Sequence, residues 1–305
     1  MYDIIGDVHG HATLLKKLLK ELGYVKTASG YAHSGRKAVF VGDFINRGPE
    51  IRQTVQLIRK MTEGGHAYAL LGNHEVNAIL YHLKDERKIP LLKKESKRAH
   101  TVVQTLQQFS KQPGEWKEHL KWMRSLPLFL DLGEIRIVHA CWTDENIEIL
   151  KNQLPEGKKA KSIFRNLVLD PKSSLSQSIL QTTRGIHHIL PPDIRIYDNR
   201  RRIHRFYRIR WWEEAAGLTF QQFSFESKFR LPEYSIPPEI MPEITPYPEE
   251  APPVFFGHYC RGNGSLLIRN NLCCVDGCVM GKGRLVAYRW DGEKILNTDK
   301  LLIVK

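Results

Sequence analysis

Six apolar, strand-like runs of this chain end in side chains that bind hard or borderline metal ions. They are Gly6-Asp7-Val8-His9-Gly10, Gly42-Asp43-Phe44-Ile45-Asn46-Arg47-Gly48, Gly72-Asn73-His74-Glu75, Val138-His139-Ala140, Phe256-Gly257-His258 and Cys274-Val275-Asp276-Gly277. Between the first three lie segments of helical period. Leu14, Leu15, Leu18, Leu19 and Leu22 form one apolar stripe that Gly23 ends. Pro49 can open a second helix with Ile51, Val55, Ile58 and Met61 on one face, and a third is expected from Asn73 to about Leu83. The order β-α-β-α-β predicts neighbouring parallel strands joined by right-handed crossovers. Ligands of such sheets bind beyond the carboxyl ends of the strands, where Asp7, Asp43 and Asn73 fall.

The rest of the 305 residues are expected to elaborate one α/β domain. Residues 84–126 are polar and Lys-rich and are read as a helical insertion, after which 135–139 form another strand ending at His139. From about 146 to 253 the pattern changes to basic clusters, scattered aromatics and a proline-stiffened return from Pro232 to Pro253, an inserted cap. Residues 254–305 resume strand patterns, with turns at Gly262-Asn263-Gly264 and Asp291-Gly292, and are expected to complete the second half of a sheet sandwich. No stretch approaches the ~18 apolar residues of a membrane span, and the N-terminus enters a strand without a leader pattern, so a cytoplasmic protein with no membrane partner is expected. The five cysteines (141, 260, 273, 274, 278) lack zinc-site spacing and are read as buried reduced thiols. The formal net charge of +13 favours anionic partners: a phosphorylated small molecule, nucleic acid or an acidic protein.

The donor types point to a pair of cations. A side chain bridging two cations must be an anionic oxygen donor, and Asp43 suits that role. Asp7 and His9 can reach one ion around a tight turn, Asn73 offers a carbonyl, and His139 and His258 offer imidazoles to the second. Mixed carboxylate, amide and imidazole donors suit two divalent ions of the Mn, Fe, Zn or Co kind, manganese first, rather than calcium. Two such ions, set against two aspartates and a bridging hydroxide, keep a net positive charge for a phosphoryl oxygen.

In these blocks the chain resembles the calcineurin-like metallophosphoesterases of the phosphoprotein-phosphatase superfamily, with their GDxHG, GDxxDRG and GNHE patterns. Arg47-Gly48-Pro49, Phe256-Gly257-His258-Tyr259 and Val275-Asp276-Gly277 through Ala287-Tyr288-Arg289-Trp290 make it most similar to the bacterial diadenosine-tetraphosphatase and PrpE-like branch. The resemblance implies two mixed sheets packed as a sandwich between helices, in α-β-β-α layers. It implies Asp7, His9 and Asp43 on one ion and Asp43, Asn73, His139 and His258 on the other. Arg47 would clamp phosphate oxygens, and His74 would protonate the leaving group or stabilise its charge. No motif assigns a role to the middle of the chain.

Two positions depart from the family pattern. Asn46 stands where the second block usually carries an acid that orients the catalytic histidine. An amide can hydrogen-bond an imidazole but cannot hold its protonated form by charge, so His74 is expected to be a weaker base and the preferred substrates to have good leaving groups. His139-Ala140-Cys141 replaces His-Gly-Gly and restricts that turn. In the basic segment Arg200-Arg201-Arg202 to Trp212, cations alternate with aromatics. Ile203, Arg205, Tyr207, Ile209 and Trp211 form one face of a period-2 pattern, read first as a strand packed on the core and second as a base-stacking surface. Arg184 and Arg165 are candidates for a second phosphate clamp. The leading expectation is a two-metal phosphohydrolase acting on nucleotide anhydrides such as a dinucleoside tetraphosphate. A protein Ser/Thr phosphatase is the alternative, and an RNA- or protein-binding module with a vestigial metal site the third.

Overall fold

The fold, described by a computed structural model, covers all residues except 94, 156, 158, 199, 200, 202, 226–228, 262 and 263. Two five-stranded mixed sheets face each other. The first runs Leu301–Val304, Leu285–Trp290, Tyr2–Ile5, Lys37–Phe40, Ala67–Ala69, and the second runs Leu267–Arg269, Leu272–Cys274, Val254–Phe256, Arg136–Val138, Phe129–Asp131. Tyr2–Ile5, Lys37–Phe40 and Ala67–Ala69 are mutually parallel, as the β-α-β-α-β pattern predicts. Arg136–Val138, Val254–Phe256 and Leu272–Cys274 form a second parallel trio. Antiparallel strands close both edges of the second sheet and one edge of the first, whose other edge is the parallel strand Ala67–Ala69.

The sandwich core alternates residue by residue with the helix-facing core, as strand pleating requires. Ile4, Val39 and Leu70 from the first sheet and Ile137, Phe255 and Cys273 from the second fill the space between sheets. Their neighbours Ile5, Phe40, Val138, Phe256 and Cys274 point outward to the helices. Ala12–Glu21 and Ile51–Glu63 carry the predicted leucine and isoleucine stripes onto the outer face of the first sheet. The third helix, Asn73–Tyr81, is buried along nearly its whole length and ends two residues before the expected limit.

Several expectations needed correction. The C-terminal strands do not all join one sheet: Leu267–Arg269 and Leu272–Cys274 complete the second, whereas Leu285–Trp290 and Leu301–Val304 return to the first. Leu285–Trp290 has the longer apolar run because it lies beside Tyr2–Ile5 in the sheet interior. Among the described residues of the insertion, the helices are Lys97–Gln108 and Pro113–Met123. The cysteines are not all reduced, since Cys260 and Cys278 form a disulfide. These residues are 18 apart in sequence and no motif links them. They meet because each follows one of two adjacent parallel strands, Val254–Phe256 and Leu272–Cys274. Cys141, Cys273 and Cys274 are free and buried as expected. Arg200, Arg202, Gly262 and Asn263 lie outside the described residues.

The cap contributes three helices, Asp144–Gln153, Lys161–Leu169 and Ser174–Arg184, then two small hairpins. It has its own apolar core of Leu190, Tyr207, Ile209, Phe220, Phe223 and Leu231. Trp211 and Trp212 join that unit to the main core. Trp211 Nε1 donates to the Ala140 carbonyl (3.1 Å), and its ring lies 5.4 Å from Phe256. Replacing Trp211 by Ala therefore removes a buried aromatic at the joint of cap and sheet, with an expected loss of about 3–5 kcal/mol in stability. Chemical denaturation measures it; a loss below about 1 kcal/mol would show that the joint does not depend on this packing.

Candidate metal centre

The six sequence blocks sit at the carboxyl ends of the six parallel strands. Asp7, Asp43 and Asn73 follow the three strands of the first sheet, and His139, His258 and Asp276 follow those of the second. Two glycines allow the close approach. A Cβ on Gly6 would lie 1.8 Å from the Val275 carbonyl oxygen, and one on Gly42 (φ +111) would lie 2.6 Å from the Gly72 nitrogen. Any side chain at either position would push the ligand loops apart.

The side chains converge. Donor atoms of His9, Asp43 and His74 lie within 4.8 Å of one another, as do those of Asp43, His139 and His258. Asp43 is common to both groups, the position a bridging carboxylate requires. Asn73 Oδ1 lies 3.3 Å from His139 Nε2. The Asp7 carboxylate accepts the backbone N–H of His258, at 3.2 Å to each oxygen. All six predicted ligands are thus gathered in one buried place. His74 shares the His9–Asp43 cluster, so proximity alone does not set it apart from them; its hydrogen bonds do.

The hydrogen-bond pattern fits cation binding. His139 Nδ1 donates to the Val41 carbonyl (2.9 Å) and His9 Nδ1 donates to the Ile45 carbonyl (3.1 Å). Each bond fixes the tautomer whose Nε2 lone pair faces Asp43, as metal-ligating histidines need. The lone pair of His9 is engaged by Arg47, whose guanidinium lies 3.1 Å away. Five residues of the centre, His9, Asp43, Asn46, Arg47 and His258, have left-handed backbone at φ between 41° and 68°. Such conformations cost energy in non-glycine residues and persist where surrounding bonds over-determine them.

The electrostatics show what the cations would replace. Burial raises the Asp7 carboxyl well above its usual range, and the neighbouring Asp276 adds to this. Burial would raise Asp43 too, but its interactions with the His139 and His74 imidazoles, His139 foremost, outweigh it and hold this carboxyl well below. Burial works against a charged His139, yet Asp43 prevails and lifts it to about 10. A proton on His139, 3.4 Å from Asp43, thus supplies positive charge in the metal-free chain. Burial drives His9 down to about 3, and it drives His258 down with help from Arg208. Both are neutral imidazoles at pH 7, ready to ligate.

His74 is separated from the ligands by Asn46. The Asn46 side-chain amide lies 2.7 Å from His74 Nδ1, and Thr105 Oγ1 donates to the Asn46 carbonyl oxygen. Thr105 therefore turns the Asn46 NH2 toward the imidazole, which accepts at Nδ1 and carries its proton on Nε2. Burial lowers His74 to about 4. Arg184, at the end of the helix Ser174–Arg184, donates to Asn77 Oδ1 (2.8 Å), one turn along the helix from Asn73 and His74. Arg165 lies on the helix Lys161–Leu169 and does not line the cavity that Arg184 lines.

Three contributors carried no role in the sequence reading. Glu75 accepts backbone N–H groups from Gly72, Asp43, Phe44 and Ile45 with its two oxygens. Its spacing of three from Gly72, the helix cap, is the capping-box signal that could have revealed it. Thr105 lies 59 residues from Asn46, and no local pattern marks it. Asp276, first read as a signature of unknown role, is buried beside Asp7 and accepts the Cys278 N–H.

Comparison with known proteins identifies the family. The profile of the calcineurin-like phosphoesterases matches residues 2–181. The chain belongs to that family. A Bis(5'-nucleosyl)-tetraphosphatase PrpE [asymmetrical] from Geobacillus sp. (strain WCH70) is 34% identical over 146 residues, covering 45% of this chain and 56% of that protein. A symmetrical Bis(5'-nucleosyl)-tetraphosphatase from Marinomonas sp. (strain MWYL1) is 24% identical over 309 residues, 97% of this chain and 95% of that protein. The chain spans about half or less of the first curated relatives it matches. Among solved structures, a protein serine/threonine phosphatase from Saccharomyces cerevisiae has a TM-score of 0.51 at 13% identity, covering 99% of this chain and 78% of that one. A cold-active protein-tyrosine phosphatase from a Shewanella species has a TM-score of 0.51 at 15% identity, covering 96% and 78%. These two share the fold.

Metal binding must displace the proton of His139, whose pKa is lifted to about 10. Manganese binding at pH 7 is expected to release at least one proton per chain, and its apparent affinity to rise with pH. Calorimetry in buffers of different ionisation enthalpy measures the release; a value near zero would exclude His139 as the proton donor. The His139 charge also stabilises the metal-free fold, because its pKa is raised from 6.5 to about 10. That stabilisation is fully present below pH 6.5 and is lost as the pH rises through 10.

Proposed function

We propose that this protein is a two-metal phosphohydrolase that cleaves phosphoanhydrides of nucleotides, a dinucleoside polyphosphate being the best-suited substrate. The observation that carries this reading is the direction of the Asn46–His74 hydrogen bond. With Asn46 donating to Nδ1, His74 has one proton, on Nε2, and no carboxylate at Nδ1; the one carboxylate that faces Nε2, Asp43 at 3.8 Å, would be engaged by the metal ions. His74 can donate a hydrogen bond to a leaving oxygen but is a poor reservoir for a transferred proton. A nucleoside phosphate leaves as a weakly basic oxygen, with a second pKa of about 6, and needs no more than that. A serine alkoxide needs the proton.

The remaining side chains divide by position. Two divalent ions held by Asp7, His9, Asp43, Asn73, His139 and His258 would supply Lewis acidity and a source of hydroxide at neutral pH. Arg47, an exposed residue whose guanidinium reaches His9, can form the bidentate fork that phosphate oxygens favour. Arg184 is held by Asn77, on the helix that begins at Asn73 and His74, and suits a second contact to phosphate. Burial of His74 and Asp43, both 2% exposed, keeps bulk water from competing for these bonds.

The tetraphosphatase names of the relatives support a nucleotide substrate, and the phosphatase neighbours keep phosphoprotein as the competing class. Protein loaded with manganese is expected to turn over diadenosine tetraphosphate at least tenfold faster, by kcat/KM, than a phosphoserine peptide, with EDTA abolishing both. Equal or reversed rates would sink the anhydride reading, and activity that survives EDTA would sink the metal dependence. Asn46→Asp should restore a charge partner for His74, raising its pKa and raising phosphoserine turnover about tenfold or more relative to diadenosine tetraphosphate. Equal gains on both substrates would show that proton donation to the leaving group is not what distinguishes them.

A further inference from the structure

The hairpin His187–Ile189 with Phe206–Arg208 has two different faces. Its register pairs Phe206 with Ile189, Tyr207 with His188 and Arg208 with His187. Tyr207 and His188 therefore share one face, their rings 5.8 Å apart, and Tyr207 is fully buried against Phe220 in the cap core. Phe206 and Arg208 with His187 and Ile189 share the other. That face is turned toward the carboxyl ends of the parallel strands: the Arg208 guanidinium lies over the ring of Tyr259, next in sequence to the predicted ligand His258, at 5.2 Å from its centroid.

Phe206 and His187 line a cavity of about 410 Å³ whose other walls are Arg98 and the helix end carrying Gln177, Gln181 and Arg184. Phe206 is 55% exposed, although Tyr207 beside it finds complete burial. Arg184 connects the cavity to the metal centre, since the guanidinium that lines it also bonds Asn77 on the helix that begins at Asn73 and His74. The cavity thus offers a flat aromatic ring and two guanidinium groups, one of which bonds the helix that begins at the metal centre.

Resting on the nucleotide reading above, we infer that this cavity seats the nucleoside end of the substrate, its base stacked on Phe206 and its phosphates passing Arg98 and Arg184 toward the metal centre. An aromatic ring accepts any base through its π-face, and guanidinium groups match phosphate oxygens. The site therefore selects for a nucleoside phosphate over a bare polyphosphate, and its grip on the base is tolerant of sequence. A phosphorylated side chain could use the arginines but would leave the Phe206 ring without a planar partner.

The test separates base from phosphate. Binding of ADP and of inorganic pyrophosphate to the metal-free full chain is measured by calorimetry for wild type, Phe206→Ala and Phe206→Tyr. The Kd of ADP relative to that of pyrophosphate is expected to rise about tenfold in Phe206→Ala, within the range for loss of one base–aromatic stack, and to return toward wild type in Phe206→Tyr. In the manganese-loaded enzyme, the KM ratio of diadenosine tetraphosphate to inorganic tetraphosphate should rise in parallel. An unmoved ratio in Phe206→Ala, or tighter wild-type binding of a phosphoserine peptide than of ADP, would overturn the assignment. Failure of the parent reading looks different: wild type would then cleave p-nitrophenyl phosphate but not diadenosine tetraphosphate, before any variant is compared.

Discussion

The ligand loops depend on one buried carboxylate. Glu75 is completely shielded from solvent and has been driven up to about 7 by burial and by the nearby charge of Asp43. What holds it there is a set of four backbone N–H groups, from Gly72 at the start of its own helix and from Asp43, Phe44 and Ile45 in the neighbouring loop. These bonds favour the anion and offset part of its desolvation. They also tie the third strand's loop to the second. With the backbone N–H of His74, which donates to the Asp43 carboxylate at 2.9 Å, they hold Asp43 at the point shared by both donor clusters.

The backbone conformations follow from this constraint. Asp43, Asn46 and Arg47 all take left-handed φ within one loop, and His9 and His258 do so in two others. Each such residue costs on the order of 1–2 kcal/mol. The compensation is visible in the bonds between loops: His9 N–H to the Asp43 carbonyl at 2.9 Å, Gly10 N–H to the Phe44 carbonyl at 3.0 Å, and Gly257 N–H to the His139 carbonyl at 2.9 Å. The loops stabilise one another, and the strain turns the donor atoms inward from the strand ends.

This explains what could be seen in the sequence. The six blocks announced themselves because metal ligands and close-approach glycines are chemically restricted, so Asp7, His9, Asp43, Asn73, His139 and His258 stood out one by one. The parallel trio of the first sheet was legible for a related reason, since its helices carry clean apolar stripes. What escaped notice depends on distance. Thr105 acts on Asn46 across 59 residues, Cys260 reaches Cys278 across adjacent strands, and the division of the C-terminal strands between two sheets is decided by pairing partners. None of these leaves a local pattern. Glu75 did leave one, in its spacing from Gly72, but a glutamate at that point of a helix serves ordinary capping as well.

The cap segment illustrates why alternation alone could not choose between core and ligand surface. From Tyr207 to Trp211, the odd-numbered residues Tyr207, Ile209 and Trp211 are buried to the last atom, as a strand packed on a core would have them. The intervening residues Phe206, Arg208 and Arg210 remain partly or largely accessible. The core-packed reading holds only from Tyr207 on: Ile203 is 55% exposed and Arg205 is exposed too, because the strand is interrupted at Arg205 and Ile203–His204 pairs with Ile196–Tyr197 instead. From Tyr207 on, a two-residue period forces the outcome: any strand that closes a small core over a cleft must show its other side to that cleft. An aromatic there costs little stability when it is exposed, whereas the same ring moved one residue along would lose the whole cap core. The hairpin's register, with Tyr207 opposite His188, thus places Tyr207 in the cap core and leaves Phe206 on the exposed face.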